Sequence, residues 1–149
     1  MKKMLVVGIL GISSVGCTTI TANHPTDKLA LQSIKNICIE DNPKVIVPRF
    51  KEILSSSFSN HGISTRSFAQ GGVPNECEYV LRYSAIRSWD FVTYLTDADL
   101  DLQKNGVTVS FANFHLKGGG GLAFTKWKST ESKVNLLVDE LLGKTKKGS

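Results

Sequence analysis

From Tyr79 to Ala85, and again from Leu95 to Phe111, the chain alternates apolar and polar residues, and this pattern narrows the fold more than any other feature. Tyr79, Leu81, Tyr83 and Ala85 fall on one side of an extended chain, with Val80, Arg82 and Ser84 on the other. Thr96, Ala98, Leu100 and Leu102 then alternate with Asp97, Asp99, Asp101 and Gln103. Successive side chains of a strand point to opposite faces, so a stretch of this kind builds a sheet with one face buried and one wet. Lys104-Asn105-Gly106 is a tight hairpin signal, since Asn and Gly accept the positive φ that such turns need. Val107, Val109 and Phe111 resume the alternation. The apolar set then moves to Phe114 and Leu116, a change of phase that predicts a bulge near Ala112-Asn113.

The flanking segments supply helices. Phe50, Ile53, Leu54 and Phe58 share one helical stripe, with Pro48 in the first turn and Asn60-His61-Gly62 as the stop. Pro48 excludes a regular helix from Lys44, so Lys44 to Val47 reads as a loose turn. Val134, Leu137, Val138, Leu141 and Leu142 form a second stripe, opened by Glu131 and closed by Gly143. Ile37-Cys38-Ile39 and Ile63 to Phe68 read as further strands. Gly118 to Gly121 reads as a turn and Leu122 to Lys128 as a last strand. The expected fold is α+β: a single twisted, mostly antiparallel sheet of about five or six strands, with two helices packed on one face.

The amino terminus has the layout of an export signal. Lys2-Lys3 precede a short apolar run from Met4 to Val15, too short for a spanning helix of about 20 residues. Ser14-Val15-Gly16-Cys17 follows, and Val15, Gly16 and Cys17 resemble a bacterial lipobox, in which the cysteine receives lipid; Ser14 departs from the usual Leu. The resemblance implies cleavage before Cys17 and acyl chains on its sulfur. Each buried methylene contributes about 0.8 kcal/mol, which several chains turn into a firm hold. Thr18 in place of Asp implies the periplasmic side of the outer membrane. The competing reading is ordinary secretion with Cys17 as a plain thiol. On these boundaries the chain divides into a signal peptide (1–16), a lipidated Cys with a polar tether (17–35), one α+β domain (36–143) and a basic tail (144–149).

Cysteine usage bears on the same question. Three cysteines leave one over in an oxidising compartment, and lipid on Cys17 accounts for it. Cys38 and Cys77 then remain as a pair, each beside a strand start. Two separately buried thiols are the alternative.

Charge excludes little by itself. The formal +5 falls once Lys2 and Lys3 leave with the signal, giving 16 basic side chains against 13 acidic, and Lys144, Lys146 and Lys147 sit in the tail. No aromatic residues interleave with clustered Arg, so a nucleic-acid groove is not expected. Asp97, Asp99 and Asp101 have the opening spacing of a calcium loop, but Leu102 and Thr108 stand where Gly and Glu belong. On a strand these carboxylates form a solvated acidic edge. The glycines at 118 to 121 precede neither GK[ST] nor a helix start, and His24, His61 and His115 follow no ligand or nucleophile motif. No catalytic residue, cofactor or metal is therefore expected. Trp89 with Asp90, and Trp127 between Lys126 and Lys128, have two readings: the edge of the core, or recognition anchors.

Taken together, Ile37-Cys38, Cys77 with Tyr79-Val80-Leu81, Trp89-Asp90, Tyr94-Leu95, Ala98 with Leu100, and Lys126-Trp127 through Leu141-Leu142-Gly143 resemble a family of small uncharacterised proteobacterial lipoproteins. The likeness runs over the whole mature domain and brings no activity with it. It implies the lipoprotein class and the single-domain layout; an anchored compact domain without a legible catalytic set then leads to the expectation of a membrane-anchored periplasmic accessory module that meets an envelope protein. A binding protein for a small molecule or envelope polymer is the alternative, and an enzyme the third.

Overall fold

Ile37 and Ile39 are buried on one side of a short strand while Cys38 is buried on the other, and this split organises the fold. The computed structural model describes residues 18–117 and 128–144. The elements run β1 (Thr18–Asn23), α1 (Lys28–Gln32), β2 (Asn36–Glu40), α2 (Phe50–Ser59), β3 (Ser64–Phe68), β4 (Tyr79–Asp90), β5 (Val92–Lys104), β6 (Val107–Leu116) and α3 (Thr130–Leu141). The six strands make one open mixed sheet in the order β1-β6-β5-β4-β2-β3. In the run β1, β6, β5 and β4 each strand is antiparallel to its neighbour, and β2 pairs parallel with both β4 and β3. The fold is α+β.

The two longer helices lie side by side on one face, α3 against β6, β1 and β5, and α2 against β3. Leu54 and Phe58 of α2 meet Val134, Leu137, Val138 and Leu141 of α3 above Ile39, Leu81, Leu100, Leu102 and Ala112, all of them inaccessible to water. Truncating one such leucine to Ala costs about 2–5 kcal/mol, because the transfer energy and a cavity add. Ser129 caps α3 by accepting from the Ser132 amide at 3.1 Å, and Gly143 ends it at φ 65°. The α2 stripe is as expected, but its regular turns start at Phe50. Pro48 stands two residues earlier, ahead of a left-handed Arg49.

Residues read as a tether are part of the sheet. Thr18–Asn23 pairs with β6, placing Ile20 and Ala22 against the core. A run rich in Thr looks like a polar linker by composition, yet β-branched Thr favours a pleated surface, and Ile20 and Ala22 have a strand's spacing. Asp27 then caps the short α1, accepting from the Leu29 amide at 3.2 Å, and Leu31 enters the core.

Two irregularities fall elsewhere than expected. The β5–β6 bulge is at Val109, between the Leu102↔Ser110 and Gln103↔Thr108 pairs, and not at Ala112-Asn113. Ser110 can occupy an inward position because its hydroxyl donates to the Leu141 carbonyl at 2.6 Å, which hides the phase change from a hydropathy pattern. A second bulge at Thr96 turns Leu95, not Thr96, into the core. The Asn105-Gly106 turn, with φ values of 50° and 80°, is the expected hairpin. The expected turn at 118–121, most of the strand at 122–128, and the signal peptide lie outside the described residues.

Candidate functional site

Strands β4 and β5 continue well past the alternation visible in the sequence and meet at a narrow hairpin end. Ser88 pairs with Tyr94, Trp89 with Thr93 and Asp90 with Val92, leaving Phe91 at the apex. Trp89 is 75% exposed and Phe91 90%, with Val92 and Ile86 more than half exposed. Trp89 is therefore not at the edge of the core. Asp90, its neighbour, is partly buried. Phe91 has φ 56°, a left-handed backbone that costs a non-glycine residue about 1–2 kcal/mol. A large apolar side chain thus sits in water on a strained backbone. Clustered exposed apolar groups of this kind mark contact surfaces more often than scattered single ones do.

The sheet face away from the helices is different in character. Asp99 accepts from Asn113 at 2.6 Å and from Ser84 at 3.0 Å, and Asp101 accepts from Thr108 at 2.8 Å and Gln103 at 2.5 Å. Asp97 faces the Nδ1 of His115, and Arg82 reaches Glu40 at 3.3 Å. The three carboxylates of the calcium-like spacing are thus each tied to a neighbouring strand. Among the described residues no three or more His, Cys, Asp or Glu converge as a metal site. The same face carries Cys38 and Cys77, joined as a disulfide and packed with Val80 and Phe68. The pair left over by counting cysteines, Cys38 and Cys77, is the pair that is bonded; Cys17 and Trp127 lie outside the described residues.

Concave surface is modest. A groove of about 450 Å³ beside the disulfide is lined mainly by polar groups such as Lys35, Asn36, Glu78 and Lys104. Another, of about 310 Å³, lies at the base of the hairpin, where Ile53, Arg87, Tyr94 and Leu95 meet the first turn of α3. His24, just past the end of β1, reaches β6: its Nδ1 stands 2.8 Å from the Ser110 hydroxyl. That hydroxyl spends its proton on Leu141, so His24 must donate from Nδ1. Burial, and then the charge of Lys28, hold His24 below its ordinary pKa.

No family model and no curated protein matches this chain. Solved structures match its fold. The PelC dodecamer from Paraburkholderia phytofirmans superposes with a TM-score of 0.54 at 13% identity, over 85% of this chain and 97% of that one. A point variant of the same dodecamer gives 0.54 at 14% identity, over 86% and 96%. At such identity the likeness concerns the fold alone.

Val92 and Ile86, and the hairpin that exposes them, escaped the sequence reading because 86 to 94 lacks both a clean alternation and a glycine turn. The usable signal was the absence of any breaker between Ala85 and Leu95, which leaves two strands free to extend until they meet. Lys133, at 3% exposure, was also missed. Its Nζ donates to the Leu95 carbonyl at 3.2 Å and lies 5.5 Å from the Phe114 ring centre, and burial lowers its pKa.

Proposed function

We propose that this chain is a lipoprotein of the bacterial envelope, anchored through Cys17, that works without catalysis as a protein-interaction module on the periplasmic side of the outer membrane. The observation that carries the reading is the helix-free face of the sheet. Its polar side chains are already fixed on one another, as Asp99 is by Asn113 and Ser84. Such a face can dock a partner with little loss of side-chain freedom, the term that usually weakens polar interfaces. The lipobox-like Val15-Gly16-Cys17 and the likeness to small proteobacterial lipoproteins support the anchoring half. The partners include other copies of this chain in a second version of the reading, favoured by the dodecameric state named for the two fold neighbours.

Palmitate labelling of wild type against Cys17→Ser tests the anchor, with label expected on the wild type alone. Chemical cross-linking in intact envelopes, followed by gentle solubilisation, tests the module. The expected result is a defined adduct, with a second protein or with itself, that Ser84→Arg and Asn113→Arg weaken at least tenfold while the fold persists. Recovery of the monomer alone would count decisively against it.

A further inference from the structure

The register of the sheet brings the chain's entry point and the exposed hairpin to one end. Thr18 pairs with Leu116, His115 with Asp97, and Asp97 with Ile86. Residues 18, 116, 97 and 86 therefore lie within about one residue row of one another. The β4–β5 hairpin projects past that row by at least the three pairs Ser88↔Tyr94, Trp89↔Thr93 and Asp90↔Val92, or about 10 Å at 3.3 Å per residue. Cys17 is joined to Thr18 by one peptide unit, about 3.8 Å. With the strands along the membrane normal, an acyl anchor on Cys17 leaves the hairpin apex roughly 6 Å deeper than the anchored residue, the depth at which amphipathic surfaces meet the boundary between headgroups and acyl chains.

We propose that Trp89, Phe91 and Val92 form a second, non-covalent membrane anchor that inserts into the same bilayer as the acyl groups of Cys17. The proposal rests on the lipoprotein reading and names what the hairpin touches. Three independent features agree on a lipid surface. The apex combines Trp with Phe and Val, and tryptophan is enriched where an apolar ring can sit at headgroup level. Phe91 is 90% exposed on a left-handed backbone, so its side chain contributes nothing to the core that would justify the conformation. The cations around this end outnumber the acids. Arg49, Arg87, Lys117 and Lys128, all exposed, stand at this end against Asp90, Asp97 and Glu131, an excess that an anionic headgroup layer would favour. With two contacts the strands stand steeply on the membrane, and the helix-free face turns sideways toward its partner.

The test uses the mature acylated chain carrying Trp127→Phe, which leaves Trp89 as its single tryptophan. The protein is reconstituted into vesicles of phosphatidylethanolamine and phosphatidylglycerol containing lipids brominated near the top of the acyl chain. Mass spectrometry first establishes that acyl groups are present; their absence would defeat the lipoprotein reading separately. With acylation established, Trp89 emission should shift to the blue and lose at least half its intensity to bromine. Phe91→Gly, which suits the left-handed backbone and preserves the fold, should reduce that quenching at least twofold, and Arg87→Glu should do so only in vesicles containing phosphatidylglycerol. Unquenched emission at the wavelength of water-exposed indole overturns the proposal. A blue shift without bromine quenching overturns it too, and identifies a protein, such as a second copy, as the cover.

Discussion

Removing the Cys38–Cys77 bond should lower the stability of the domain by about 4 kcal/mol. The bond closes a loop of 39 residues that contains the whole of α2 and β3. Without it the unfolded chain regains the loop-closure entropy, about 13 cal/mol/K for a loop of this length, or about 4 kcal/mol at 25 °C. The folded state loses little in return, because Cys38 and Cys77 belong to a small apolar cluster with Val80 and Phe68 on the face away from the main core. Two serines in place of the cysteines therefore test an effect located in the unfolded ensemble. Urea unfolding followed by circular dichroism gives the free energy, and at a slope of about 2 kcal/mol/M the midpoint should fall by about 2 M. Stopped-flow kinetics gives the partition. If the loop closes before the transition state, refolding slows and unfolding hardly changes. A double-serine variant within about 1 kcal/mol of wild type would refute the reasoning, since it would mean that the unfolded chain already holds β2 near β4.

Three other perturbations have definite signs. Because burial keeps the folded pKa of His24 below its unfolded value near 6.5, the unfolded chain takes up the proton first; stability should fall as the pH drops from about 6.5 toward the folded pKa. Hydrogen exchange should show reduced protection in β1 over that window, and His24→Asn should flatten the pH dependence. Lys133 has its pKa lowered by burial, so stability should rise with pH from the folded value up to about 10.4, and the difference between wild type and Lys133→Met in denaturant titrations should shrink over that range. Gly106, at φ 80°, should lose about 1 kcal/mol on replacement by Ala, whereas Gly72→Ala, with open space for its Cβ, should be neutral or stabilising by about 0.5 kcal/mol in the same thermal melts.

Much of the fold was readable because the deciding interactions are local. The period of Phe50, Leu54 and Phe58, the period of Val134 to Leu141, and Asn105-Gly106 each specify an element without reference to distant residues. The misplaced features are those decided by tertiary partners. Thr19 and Thr21 look like linker residues until β6 supplies the edge on which β1 pairs. Ser110 looks solvent-facing until Leu141 provides an acceptor for its hydroxyl. Unbroken alternation would point Thr96 inward, but the bulge gives that place to Leu95. The candidate site divides in the same way. Cys38 and Cys77 could be paired by counting, and Trp89 could be singled out by its charged surroundings. The exposure of Phe91 depends on two strands outrunning the core beneath them, which no local pattern records.

The loss of the tether changes what an anchor at Cys17 could do. A flexible leash over the ten residues from Thr18 to Asp27 would let the domain sample positions up to about 30 Å from the lipid, with no fixed orientation. Strand β1 instead starts at Thr18 and is paired with β6 along its whole length, through alternate amides. A lipid on the preceding residue would act on the sheet itself, fixing both the height and the end that faces the bilayer. Inserting about eight Gly and Ser residues between Cys17 and Thr18 separates these effects. If orientation matters, the insertion should leave acylation and folding intact but weaken the envelope cross-link of the helix-free face, as a search over many orientations replaces a fixed one. An undiminished cross-link would show that the partner finds this face without help from the membrane, and that the start of β1 beside Cys17 has no functional consequence.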